Sequence, residues 1–153
     1  MKRLALVVGL VVVLFVPVQG ALADKPVREF VPVESDVITG FCAFDVLLDP
    51  TRTNLYVMTF TDRSGQVVKL IASGTFKVRL TNGTTGESIV VNISGPEHVR
   101  IDEDGSVTDV ATGPWLIGFP DEGRLLLTKG RLVFGEGSAS LRGTSRDVCA
   151  LLA

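Results

Sequence analysis

His98 is the only histidine in the chain. A single imidazole works as a general base only with a nucleophile and an orienting partner in reach. Alternation sets His98 beside Arg100 and Asp102 on the polar side of an expected strand, which points to a surface position. No Gly-x-Ser-x-Gly elbow accompanies it. Cys42 and Cys149 are the only cysteines. An even count in an exported chain points to one disulfide, which would leave no thiolate for Cys–His catalysis. Asp102-Glu103-Asp104-Gly105, followed by Asp109, looks like part of a calcium loop. Arg100 stands at its first ligand position, however, and Thr112 at its last. Asp104-Gly105 is itself a hairpin turn signal. No catalytic residue, metal ligand or cofactor motif is assigned.

Two clusters of large apolar side chains are the remaining candidates. Tyr56, Met58 and Phe60 alternate with Leu55 and Val57, so both faces of that segment are apolar. Trp115, Ile117 and Phe119, with Leu116, make the most apolar stretch beyond the N-terminal leader. A strand apolar on both faces is covered on both sides, or turns one face to a pocket or a contact surface. These six residues are the expected lining for a hydrophobic small molecule. The competing expectation is ordinary core, with Trp115 as the large anchor.

The elements that would position them begin after a leader. Lys2 and Arg3 precede an apolar run from Leu4 to Val16, and Ala21-Leu22-Ala23 supplies the small residues of a cleavage site. This is the pattern of a secretory signal peptide over residues 1–23. The run is shorter than the roughly 20 apolar residues of a membrane span, so no transmembrane segment is expected in the secreted chain. Removing Lys2 and Arg3 with the leader leaves 13 basic against 17 acidic residues, a formal charge of −4. That balance argues against nucleic acid as a partner.

Residues 24–34 read as an extended, loosely held segment, and residues 35–153 as one domain joined by Cys42–Cys149. Turn signals recur every ten to twelve residues, at Asp49-Pro50, Asp62 to Gly65, Ser73-Gly74, Asn82 to Gly86, Ser94 to Pro96, Asp104-Gly105, Gly113-Pro114, Pro120 to Gly123, Lys129-Gly130 and Gly135 to Gly137. The segments between them alternate with period two: Phe76, Val78 and Leu80 against Lys77, Arg79 and Thr81, and Val99 and Ile101 against His98 and Arg100. The pattern predicts an all-β fold, a single antiparallel β-barrel of about eight short strands, largely up-and-down, with a β-sandwich as the alternative. In such a barrel the first and last strands are neighbours, which the cysteine positions fit. The tail from Ser145 to Leu152 is the best candidate for a short helix. Asn82 and Asn92 begin Asn-x-Ser/Thr triplets, and Asn82-Gly83 reads as a turn.

Ile38-Thr39-Gly40-Phe41-Cys42, Thr59 to Gly65, Asn92 to Pro96, Gly113-Pro114-Trp115 and Arg146-Asp147-Val148-Cys149 resemble a group of small secreted actinobacterial proteins of uncharacterised function. The resemblance spans roughly the whole domain and implies an exported bacterial protein, with no activity to carry over. The β rhythm also resembles, in architecture alone, small barrels of the lipocalin or allene oxide cyclase type. The function expected is a secreted, non-enzymatic binding protein for a hydrophobic small molecule. The alternatives are a barrel-type cyclase or isomerase, whose mark would be an inward-facing acid with a displaced pKa, and an extracellular interaction or inhibitor protein.

Overall fold

The computed structural model describes residues 25–119, 122–135 and 138–153; the expected signal peptide lies outside them. The chain forms one antiparallel sheet of nine strands and a terminal helical turn. In order these are β1 (Val27–Val31), β2 (Asp36–Ile38), β3 (Val46–Thr61), β4 (Val67–Asn82), β5 (Ser88–Asn92), β6 (Glu97–Ile101), β7 (Val107–Phe119), β8 (Arg124–Gly135), β9 (Ser138–Asp147) and α1 (Val148–Leu151). The backbone of the sheet runs β1-β3-β4-β6-β7-β8-β9, with β2 also on β3 and β5 also on β4. Neighbour-to-neighbour pairing follows from the tight turns. Asp62 makes one of them, its Oδ1 accepting from Ser64 N at 2.8 Å and Gln66 N at 3.0 Å. The Ser64 hydroxyl is the main cause of a carboxyl held below its ordinary range.

Two expectations about the strands need correction. The segment before residue 35 is not loose: Val27 to Val31 pairs with Thr59 to Leu55 of β3. Several strands are also far longer than expected, β3 and β4 reaching 16 residues each. Asp49-Pro50, Ser73-Gly74, Gly113-Pro114 and Lys129-Gly130 lie within strands rather than between them. Near Pro50 the β3 register shifts as in a bulge. The glycines form a row instead. Gly113, Gly130 and Gly143 are paired in register across β7, β8 and β9, and Gly95 lies 3.4 Å from where a Gly113 Cβ would sit. Continuing the β4–β6 register by one pleat brings Gly74 opposite Gly95. At Gly130, with φ +147°, a Cβ would stand 2.3 Å from Arg142 O, so only glycine lets the strands approach this closely.

This glycine row divides the sheet. Above it β4 pairs with β5; below it β4 pairs with β6. The Ser94 hydroxyl joins the two arrangements, accepting from Phe76 N at 2.7 Å. The principal core lies on the upper side alone. Val46, Val78, Leu80, Leu125, Val148 and Leu152 are buried together, with Phe41, Phe44, Ile89, Val91, Leu116 and Leu127 packed on them. Asn82 is a buried polar member that bonds at both amide ends: Nδ2 donates to Leu152 O at 2.9 Å, and Oδ1 accepts from Thr84 N and Thr85 N. The Asn82–Gly83 turn is thus pinned to the C-terminus from inside.

The barrel also needs correction. Among the described residues β1 and β9 are not paired, and the sheet stays open. Cys42 and Cys149 are bridged, with Cα atoms 5.4 Å apart, but the bond does not close a sheet. Cys42 lies between β2 and β3, and Cys149 in α1. The disulfide instead holds the helical turn over the upper core. Asp147 starts that turn, its Oδ1 accepting from Cys149 N at 2.8 Å and Ala150 N at 3.3 Å. The helix is shorter than the expected Ser145–Leu152, because Ser145 to Asp147 stay in β9 against β8.

Candidate functional site

Below the glycine row the sheet carries two faces of different chemistry. Residues directly opposite each other on paired strands share a face, so the registers assign every position below the row; above it β7 and β8 turn Leu116, Leu125 and Leu127, of the other set, to the core. On β4, Leu70 and Ala72 alternate in step with Phe76, Val78 and Leu80, the residues of the core. Their partners Val99 and Glu97 therefore look to the same side, followed by Asp109, Ala111, Leu132 and Phe134. The other face holds Met58, Ile71, His98, Val110 and Val133 in one registered row.

Tyr56, Met58 and Phe60 fall on this second, outward face, each half-buried. Phe30 of β1 stands opposite Tyr56, its ring edge-on with centroids 5.7 Å apart, and is 53% exposed. Arg28 lies over the Tyr56 ring at 3.8 Å from its centroid, and the Lys69 ammonium is 5.3 Å from that of Phe60. A ring's negative face attracts a cation, so the aromatic stripe is flanked by charge rather than hidden by a second layer. The Lys69 edge continues into an open groove of about 600 Å³ along His98, Arg100, Thr108 and Val110.

Trp115, Ile117 and Phe119 do not join this stripe. They lie on β7, which β4 and β6 separate from β3. The Trp115 indole packs against Gly95, where a Cβ would come within 2.0 Å of Nε1, and its N–H donates to Thr112 O at 3.2 Å. Its polar atom is satisfied locally and its ring fills the corner before β6. Leu126 and Thr128, on the neighbouring stretch of β8, are buried. The six expected lining residues are thus split between an open face and a packed corner.

On the core-side face the structure shows a pair that sequence reasoning missed. Glu97 and Asp109 stand on adjacent strands, diagonal to one another, so that their carboxyls act on each other. Desolvation pushes the Glu97 carboxyl up to about 7, with the Asp109 charge and hydrogen bond adding to the effect. Burial also raises Asp109, while the bond from Glu97 pulls it back. Asp109 Oδ1 is shielded from solvent and has no hydrogen-bond partner among the described residues. Asp109 and Phe134 border a second open groove, of about 510 Å³. The signal was available: Glu97 occupies the same alternating set as Val99 and Ile101, an acid on an apolar face.

The acids of the calcium-like segment serve a turn. Asp104 Oδ1 accepts from Ser106 N at 2.9 Å, and Asp102 pairs with Arg100 at 2.9 Å. Among the described residues no helix is long and apolar enough to cross a membrane. No family model, no curated protein and no solved structure matches the chain.

Proposed function

We propose that this is an exported, non-enzymatic binding protein that takes an apolar ligand on the outward face of the lower sheet. The observation that carries this is the registered stripe of Phe30, Tyr56, Met58 and Phe60 on one face, with Phe30 exposed and the other three half-buried. Exposed apolar stripes of this kind are uncommon in monomeric proteins and mark contact sites. Titration with Nile red, a neutral apolar dye, tests it. The wild-type protein is expected to bind saturably, and a Tyr56→Ser/Phe60→Ser double variant to lose that binding with its circular dichroism unchanged. Equal binding by the variant, or none by the wild type, would overturn the assignment.

A cyclase or isomerase is the second function, favoured by Glu97 alone. A carboxyl near pH 7 is suited to proton transfer. The groove beside Asp109 is open, whereas such chemistry works best where water is kept out.

A further inference from the structure

The 13 basic residues that follow the expected leader are outnumbered by 17 acidic ones, yet below the glycine row charge is sorted by face. Pairing puts Arg28, Lys69, Arg100, Arg131 and Arg142 on the outward face, with His98 among them. All five cations are exposed. Among the described strand residues of that half, no acid shares their face; Glu29, Glu97 and Asp109 are all on the opposite side. Two of the pairings set like charges directly across from each other, Lys69 against Arg100 and Arg131 against Arg142. Such pairs destabilise a sheet. Arg100 is relieved by Asp102; Arg28, Lys69, Arg131 and Arg142 form no salt bridge among the described residues. Across the glycine row, Arg52 opposite Lys77 repeats the arrangement on the same face.

We infer that this face docks on an anionic lipid bilayer, the arginines and lysines meeting the headgroups while Phe30 and Tyr56 enter the interface. Two observations favour a bilayer over a linear polyanion. The cations are spread over β1, β4, β6, β8 and β9 instead of following one groove. Aromatic and aliphatic side chains are interleaved with them, Phe30 below the row and Val90, at 59% exposure, above it. Aromatic rings and basic residues together are the composition of interfacial anchors. The inference rests on the reading of this face as the binding surface and names a lipid source for its ligand.

Vesicle sedimentation tests it with the full chain. Binding is expected to vesicles containing about 30% phosphatidylglycerol and not to pure phosphatidylcholine, because each basic residue near an anionic surface adds attraction. It should weaken as salt rises from about 0.05 to about 0.5 M, which shortens the screening length severalfold. Arg131→Glu/Arg142→Glu should lower the affinity at least about tenfold. Those residues are separated from Tyr56 by β4, β6 and β7, so Nile red binding should be unchanged in that variant. The two assignments therefore fail separately. Equal binding to neutral and anionic vesicles, binding to neither, or no effect of the charge reversal would overturn the bilayer inference. Binding to soluble heparin or DNA but not to vesicles would overturn it in favour of a polymeric anion.

Discussion

Replacing Glu97 with glutamine keeps the shape of the side chain and an N–H for Asp109 while removing the ionisation. In the folded protein the Glu97 carboxyl titrates near 7, against an ordinary value of 4.5. The folded state therefore holds a proton that the unfolded chain has released across this interval. Stability is fully present below about pH 4.5, falls as pH rises, and levels off above about pH 7. A shift of this size corresponds to ~3 kcal/mol at 1.36 kcal/mol per unit. The carboxyl is only partly buried, and solvent screening brings the expected loss to about 1 kcal/mol. Urea denaturation at a series of pH values between 4.5 and 8 measures it. The wild-type midpoint should decline across the window, and Glu97→Gln should be flat there and more stable than wild type at pH 8. A wild-type midpoint that is flat or rises with pH, or a variant that declines equally, would refute the account of a raised Glu97 carboxyl.

Three further outcomes test the frame that holds the two faces. Cys42→Ser/Cys149→Ser should cost about 2–5 kcal/mol by thermal or denaturant unfolding, since the bridge closes a loop of long sequence separation. Asn82→Ala should cost about 2–3 kcal/mol in the same assay, because Leu152 O and two turn N–H groups lose a buried partner. Gly130→Ala should cost more than ~2 kcal/mol, as its Cβ collides with Arg142 O at a φ that alanine rarely adopts.

Much of the fold could be read from local chemistry. Phe76, Val78 and Leu80 alternate as a core-facing strand should, and Val78 and Leu80 are fully buried. His98 and Arg100 oppose Val99 and Ile101, as the structure has them. Strand length could not be read, because glycine and proline punctuate both the end of a strand and a close approach within one. Gly74, Gly113 and Gly130 are of the second kind, and only their alignment across strands distinguishes them. Closure failed for a related reason: the tail helix was legible and does carry Cys149, but chain position could not show that bridging it to Cys42 leaves β1 and β9 unpaired.

The candidate site was legible to the same limited degree. Tyr56, Met58 and Phe60 stood out by type and spacing. Trp115 stood out equally, but its packing on Gly95 depends on a corner formed by residues twenty positions earlier. The basic face was invisible because its members are single cations on five strands. A net charge of −2 hides them, and only the register adds them together.

The claim on which the account turns is that the outward face of the lower sheet is the contact surface. Amide chemical shifts of the labelled protein, followed as a short-chain phosphatidylglycerol is added, test it most directly. The account predicts perturbations concentrated at Arg28 to Phe30, Tyr56 to Phe60 and Lys69. Shifts centred on Asp109 and Phe134, or none at saturating lipid, would contradict it.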